Sequence, residues 1–148
     1  MTFKLLSKAA LALAAMGLCL SAASAAYKSE YKLSVVPGAS SGWGQTATFF
    51  ADCVRQKSNG RINIKPYFGA QLMAGKQTSE LLLVRRGAID FALASTINWS
   101  PQIKELNLTA LPFFVANNPD RYKAIDAIEV GKSGKMLEKA IEKTGVKF

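Results

Sequence analysis

The sequence contains no histidine among its 148 residues, and this absence excludes several classes of function. Without an imidazole base, neither a serine nor a cysteine nucleophile can be activated in the usual way within this chain. The commonest zinc ligand is missing for the same reason. We therefore expect a protein that is not an enzyme and that holds no metal ion and no cofactor.

Cysteine is also scarce, with only Cys19 and Cys53 present. Cys19 lies in a leader that we expect to be removed, so Cys53 is left alone and no internal disulfide is expected. At helical spacing, three apolar residues share its side of the chain: Phe49, Phe50 and Val54. This pattern predicts that Cys53 is a buried small hydrophobe. The alternative, a reactive thiol, needs an exposed and electropositive setting.

The first 26 residues have the pattern of a secretory signal peptide. Lys4 and Lys8 are its only charged residues, a small and apolar run follows at 9–20, and only Ser and Ala occupy 21–26. A charged start, a short apolar run and a small-residue exit are typical of such peptides. We expect the chain to be exported to the periplasm, with cleavage near Ala25/Ala26.

Two other interpretations of this leader are weaker. A membrane-spanning helix needs about 20 apolar residues, whereas the run at 9–20 has 12. A lipid anchor on Cys19 would favour a small residue before it, and Leu18 stands there. The mature domain is therefore expected at 27–148.

The chain is basic, with a net charge of +9. Its lysines and arginines are scattered among acidic residues instead of forming one patch, and no aromatic and basic platform accompanies them. Such a balance could suit nucleic acid, but export argues against that partner. We interpret the charge as a source of solubility and, at most, of attraction for anionic solutes.

The mature chain alternates strand-like and helix-like segments. Strands are predicted at three places: 31–36, 61–67 and 89–94, the last as an apolar strand buried on both faces. Helices are predicted at 45–57, where Asn59-Gly60 should end the helix, at 77–86, after 117–120, and at 135–143. Loops are predicted at 68–75 and 96–102, and 146–148 resembles the start of another strand. This alternation predicts an α/β domain with a largely parallel sheet.

One segment matches a catalytic motif. Residues 38–42 (GASSG) fit the G-x-S-x-G pattern of a nucleophile elbow between a strand and a helix. A hydrolase using Ser40 would need a general base to accept its proton, and the chain has no histidine to do so. The alternative is a serine-rich turn before a helix, which would also suit a carboxylate.

Polar and aromatic side chains follow each of the three predicted strands. In open parallel sheets, ligands bind beyond the carboxyl ends of the strands. The candidate ligand-binding residues are those in the following loops: Trp43, Gln71, Gln77, Ser95, Thr96, Asn98 and Trp99. Amides, hydroxyls and flat aromatic faces suit a small polar organic solute. For each tryptophan, packing in the core is an equal alternative.

Four short motifs stand in a particular order: GRINI at 60–64, GAQL at 69–72, GAIDF at 87–91 and LPF at 111–113. Their order and spacing resemble those of the periplasmic solute-binding proteins of TRAP transporters, of the dicarboxylate-binding type. The resemblance covers Tyr31 to Phe148. It implies a two-lobed periplasmic-binding-protein fold that closes on a small organic acid and delivers it to the membrane permease subunits.

The resemblance further implies that this chain is the first lobe only and is truncated, because family members are much longer. The arginine that pairs with the ligand carboxylate in the family lies in the part beyond Phe148, so we assign that role to no arginine here. The residue after the third strand often contacts the ligand, and Ser95 occupies that place. Because Ser95 is neutral, a plain acid is favoured over an amine-bearing solute. A sensor or adhesion domain of the same fold without a permease is the alternative.

Overall fold

The structure, a computed structural model, describes residues 27–113 and 115–148. The predicted signal peptide at 1–26 and its cleavage site lie outside the described residues. Within the described part, no helix combines the length and the apolar character that crossing a membrane requires.

A three-stranded parallel sheet forms the centre of the described chain. Strand β1 (Tyr31–Val35) lies between β2 (Ile64–Tyr67) and β3 (Phe91–Leu93). It pairs with β2 through Tyr31↔Ile64 and with β3 through Val35↔Leu93, both in parallel. The predicted α/β class and parallel sheet are thereby confirmed, and the carboxyl ends of all three strands lie at the same edge.

In the part of the chain that the structure describes, five α-helices accompany the sheet: α1 (Gly42–Lys57), α2 (Glu80–Arg85), α3 (Thr96–Trp99), α4 (Arg121–Val130) and α5 (Lys132–Glu142). The same part contains three 3-10 helices, at Gln71–Met73, Gln77–Ser79 and Lys104–Ala110. The long helix expected at 77–86 is therefore split into a 3-10 turn and the short helix α2. The segment expected as a loop at 96–102 begins with the single helical turn α3.

Helix α1 begins and ends at residues suited to those positions. The Ser41 hydroxyl accepts a hydrogen bond from Gly44 N at 3.0 Å, which satisfies a free donor of the first turn. At the other end, Gly60 adopts φ 74°, and its N–H donates to Arg55 O at 2.8 Å. This left-handed glycine closes the helix as the Asn59-Gly60 pair predicted.

The buried face of α1 is not the one that the sequence predicted. Gly44, Ala47 and Ala51 form that face, while Phe49 is 71% exposed and Phe50 is 42% exposed. Cys53 is half-buried. Small side chains at this spacing let the helix backbone approach the sheet closely, so the Phe49 ring is left on the outer surface and the Phe50 ring lies beside Phe91.

Strand β3 is less buried than predicted. Phe91 is 37% exposed, and Ala92 and Leu93 are half-buried. The reason is its place in the sheet, because within the described residues β3 pairs with β1 alone and has a free edge. The strand expected to start at residue 146 is not formed, although Val146 is buried.

Two clusters of buried apolar side chains stabilise the fold. The sheet cluster consists of Leu33, Val35, Ala47, Ala51 and Ile64, between the sheet and α1. The helical cluster consists of Leu81, Trp99, Ile103, Leu106, Leu137, Ala140, Ile141 and Val146. The free edge of β3 lies beside the second of them, since Ala92 and Ala94 pack against it.

Candidate functional site

A cavity of about 660 Å³ opens beside β3. Its walls come from β1, α1, α2, β3, the residues after β3, the helical cluster and residues 145–148. The lining residues are Leu33, Thr46, Ala47, Phe50, Val84, Asp90, Phe91, Ala92, Leu93, Ala94, Ser95, Thr96, Trp99, Leu106, Ile141, Gly145, Val146, Lys147 and Phe148. A mostly apolar cavity of this size with a few polar groups is typical of small-molecule sites.

Two hydroxyls stand at the carboxyl end of β3, where the chain turns into α3. Ser95 caps α3, since its Oγ accepts a hydrogen bond from Ile97 N at 3.3 Å. Thr96 Oγ1 lies 2.8 Å from Thr109 Oγ1. Because the Thr109 hydroxyl donates to Leu106 O at 3.1 Å, the Thr96 hydroxyl is left to donate to Thr109. Both residues line the cavity, and their contact with a ligand stays a prediction.

Trp99 is part of the core and part of the cavity wall. It is only 8% exposed and belongs to the helical cluster. Its indole Nε1 donates to Glu80 Oε2 at 3.1 Å, which satisfies the polar atom of the buried ring. Core packing, which the sequence left open for this tryptophan, is therefore observed together with a place beside the cavity.

The other four predicted residues lie outside the cavity lining. Trp43 is 40% exposed in the first turn of α1, and Gln71 and Gln77 are exposed in the two 3-10 helices after β2. Asn98 is half-buried in α3. Their contact with a ligand stays a prediction.

The loops that carry these residues nevertheless meet at one edge of the sheet. The chain after β2 joins the chain after β1 through Gly69 N, which donates to Pro37 O at 3.1 Å. Pairing of β1 with β3 at Val35↔Leu93 sets the residues after β3 beside them. The three loops therefore lie at one edge of the sheet, and three of the candidate residues they carry line the cavity: Ser95, Thr96 and Trp99.

Asp90 is the acidic group of the cavity lining, and its charge is held in place. Lys28 Nζ forms an ion pair with Asp90 Oδ1, and Lys32 N donates to Oδ2 at 2.9 Å. Partial burial raises the pKa of Asp90, but the hydrogen bonds from these two lysines outweigh it and hold the pKa below its ordinary value. Asp90 is therefore an ionised carboxylate, just before β3, whose charge is balanced by Lys28.

Sequence reasoning missed two residues that the structure brings into this region. Thr46 lines the cavity from α1, and no pattern in the sequence marks it. Glu80 lies behind Trp99 and is fully buried. An acid that directly precedes the apolar run at 81–84 is the signal that could have drawn attention to Glu80. In the described residues, no group of three or more acidic or cysteine side chains is placed to hold a metal.

Comparison with protein families gives one clear match. Residues 33–148 match the family of bacterial extracellular solute-binding proteins, family 7 (DctP). Among curated proteins, a solute-binding protein of Chromohalobacter salexigens is 33% identical over 89 residues, which are 60% of this chain and 26% of that protein. The C4-dicarboxylate-binding periplasmic protein DctP of Rhodobacter capsulatus is 26% identical over 133 residues, covering 89% of this chain and 38% of that protein.

Solved structures agree in fold. A TRAP periplasmic solute binding protein from Ralstonia eutropha H16, with bound (S)-2-acetolactate, is 53% identical with a TM-score of 0.76, over 82% of this chain and 37% of that one. A second, from Sulfurospirillum deleyianum with bound succinate, has a TM-score of 0.70 at 24% identity, over 82% of this chain and 36% of that one, and shares the fold. The chain thus spans between about a quarter and two fifths of the length of these relatives. All of them are described as binding proteins and not as enzymes. Since the family match covers most of its length, this chain belongs to family 7 of the bacterial extracellular solute-binding proteins.

Proposed function

We propose that this protein is a periplasmic receptor for a small organic acid. The observation that carries the proposal is the 53% identity to a solved binding protein that holds (S)-2-acetolactate, within a family match from residue 33 to 148. The signal-peptide pattern at 1–26 supports export. The absence of histidine from the chain supports binding without catalysis.

The ligand class is a short, branched hydroxy-oxo acid of the acetolactate type. The cavity lining is largely aliphatic and aromatic, and its hydroxyls are few: Thr46, Ser95 and Thr96. A sugar acid carries many hydroxyl groups, and each one buried without a partner would cost about 1–3 kcal/mol. A compact acid with methyl groups matches this lining better.

Within the site, Ser95 donates a hydrogen bond to the ligand, Thr96 accepts one because its own proton goes to Thr109, and Trp99 supplies a flat apolar wall. Ser95 and Thr96 stand where the chain leaves the carboxyl end of β3, and both line the cavity. Trp43, Gln71, Gln77 and Asn98 form a second set of contacts across the same sheet edge, reached when the ligand is enclosed. The expected charge partner for the ligand carboxylate is an arginine outside this chain, as the resemblance implies.

The receptor delivers its acid to the permease subunits of a TRAP-type secondary transporter. The solved relative from Ralstonia eutropha is itself described as a TRAP periplasmic solute binding protein. Closure of two lobes around a solute, as in other periplasmic binding proteins, would supply the conformational difference that a permease can recognise.

A thermal-shift screen of the full-length protein tests the proposal. The panel contains (S)-2-acetolactate, succinate, glucuronate and benzoate, with a neutral diol as control. A ligand at 100 times its Kd stabilises the native state by about 2.7 kcal/mol, so the acetolactate class should raise Tm clearly and above the rest. If no acid raises Tm, the receptor function fails and the sensor or adhesion alternative moves ahead.

A matched pair of variants tests the site. Thr96→Val removes the hydroxyl that lines the cavity but keeps the side-chain shape. Thr109→Val breaks the same 2.8 Å hydrogen bond from its other end, outside the cavity. We expect Thr96→Val to weaken acid binding about tenfold and Thr109→Val to leave it within about twofold, corresponding to one lost hydrogen bond in the first case. Equal losses in both would show that the bond between the threonines matters and that contact of Thr96 with the ligand does not.

A further inference from the structure

Glu80, the first residue of α2, is a fully buried carboxyl for which the proposed function has so far no use. Its two oxygens each accept one hydrogen bond. Ser34 Oγ donates to Oε1 at 2.5 Å, and Trp99 Nε1 donates to Oε2 at 3.1 Å. Among the described residues, no lysine or arginine forms an ion pair with it. The group is thus held by two neutral donors alone.

Such a group is expensive to keep in a core. A charged carboxyl that is buried without a cation loses its hydration, and two hydrogen bonds from neutral donors offset only part of that loss. Burial is the main cause of a raised Glu80 pKa, and the bonds from Ser34 and Trp99 oppose it in part. A perturbed titratable group beside a cavity is more often found at functional sites than elsewhere.

The two partners of Glu80 belong to β1 and α3, two elements whose relative position shapes the proposed ligand site. Ser34 belongs to the central strand β1, where it pairs with Ala92 of β3. Trp99 is the last residue of α3, the turn that also carries Thr96 and is capped by Ser95. Glu80 therefore connects the sheet to the turn that presents the cavity hydroxyls.

We propose that Glu80 is a positioning residue for the ligand site. It accepts the Trp99 indole N–H and so fixes the flat wall of the cavity and the turn before it relative to β1. This inference rests on the proposed acid-binding function. It assigns Glu80 no contact with the ligand, because Glu80 is not among the cavity-lining residues.

Other features of the molecule do not carry an inference this far. The exposed side chains of α4, Tyr122 and Val130, and the exposed Phe113 nearby have nothing beside them that indicates a partner. The surface cluster of Glu30, Lys65 and Tyr67 is held by its own hydrogen bonds and ion pairs.

The test uses the full-length protein, in which the indole N–H signal of Trp99 is assigned in a nitrogen-15 NMR spectrum by its loss in Trp99→Phe. Three variants are compared with the unsubstituted protein. Glu80→Gln keeps a side-chain oxygen acceptor, Glu80→Met keeps the length but has no such acceptor, and Ser34→Ala removes only the bond to Oε1. Affinity for (S)-2-acetolactate is measured by calorimetry alongside each spectrum.

We expect Glu80→Met to move the indole signal away from its hydrogen-bonded position and to weaken acid binding at least tenfold. Glu80→Gln should keep both the signal and the affinity within about threefold, and Ser34→Ala should leave the indole signal in place. If the unsubstituted chain binds acid and Glu80→Met binds it equally well with a displaced indole signal, the positioning role is wrong while the receptor function stands. If the unsubstituted chain binds no acid in calorimetry, the receptor function and this role fall together.

A second measurement covers the case in which Glu80→Met does not fold. Hydrogen exchange of the Trp99 indole proton is then followed in the unsubstituted full-length protein with and without acid. Bound acid should slow this exchange at least tenfold, because ligand binding stabilises the closed wall by mass action. An exchange rate unchanged at saturating acid would overturn the positioning role.

Discussion

The two hydrophobic clusters of this molecule are built in different ways. The sheet cluster contains aliphatic side chains alone, and small residues of α1 bring the helix close to the strands. The helical cluster includes Trp99, whose polar N–H requires the buried Glu80 as a partner. The stability of the sheet cluster should depend on side-chain packing alone. The stability of the helical cluster should depend on side-chain packing and on whether Glu80 is protonated.

The largest expected effect is a cavity in the helical cluster. Leu81 is fully buried, and Leu81→Ala should lower the free energy of unfolding by about 2–5 kcal/mol. Urea unfolding followed by circular dichroism measures this change. Leu111→Ala is the control, because Leu111 is 50% exposed and its truncation should cost less than about 1 kcal/mol. Similar costs for the two would mean that the helical cluster is loosely packed.

The first turn of α1, next to the sheet cluster, should be sensitive to added volume. A Cβ on Gly44 would lie 2.4 Å from Ala39 O, a backbone atom that cannot swing away. Gly44→Ala should therefore cost about 1–3 kcal/mol through strain in the turn before α1. Gly42→Ala in the same first turn meets nothing within 4 Å and should be neutral or slightly stabilising. Equal unfolding midpoints for the two variants would show that the helix does not approach the turn this closely.

The pH dependence of stability should distinguish the buried Glu80 from the half-buried Asp90. Burial raises the Glu80 pKa above its ordinary 4.5, so the native state keeps a proton that the unfolded state releases. The stability that Glu80 contributes is fully present below pH 4.5 and is lost as the pH rises through its raised pKa. Asp90 has a lowered pKa, below its ordinary 3.8, so its contribution is present above 3.8 and is lost as pH falls through the lowered value.

Two variants isolate these contributions in unfolding curves measured across the acidic range. Glu80→Gln should reduce the fall in the free energy of unfolding above pH 4.5, and Asp90→Asn should reduce the fall in that free energy below pH 3.8. If Glu80→Gln leaves the decline unchanged, Glu80 does not hold a proton in the native state and the contrast between the clusters is weaker.

The smallest effect is expected on the outer face of α1. Phe49 is 71% exposed, so Phe49→Ser should change the free energy of unfolding by no more than about 0.5 kcal/mol. Val35→Ala in the sheet cluster, at a fully buried position, serves as the comparison and should cost at least about 1 kcal/mol. A cost above about 2 kcal/mol for Phe49→Ser would place that ring in a core after all.

The sequence predicted the sheet better than it predicted what covers the sheet. Alternation of short apolar strands with helices indicated parallel pairing, and the Asn59-Gly60 pair indicated the end of α1. The predicted buried face of α1 was wrong. Helical periodicity groups apolar residues on one face, but it does not indicate that the small residues of another face pack inward in place of the phenylalanines. The exposure of β3 depends on its neighbours in space, which a local pattern does not contain.

The candidate site was predictable in position and less so in detail. Ser95, Thr96 and Trp99 follow from the rule that ligands bind beyond strand ends. Glu80 could not be placed from sequence, because its role depends on a contact with Trp99 nineteen residues away. Thr46 approaches the cavity from α1, which only the packing of that helix on the sheet decides.

The claim that the cavity beside β3 takes a small organic acid is tested most directly by a nitrogen-15 NMR titration of the full-length protein with (S)-2-acetolactate. Saturable shifts of the Ser95 and Thr96 amides and of the Trp99 indole, with one common Kd, are the predicted result. Saturable shifts that leave these three residues unchanged, or no shifts at all, would contradict it.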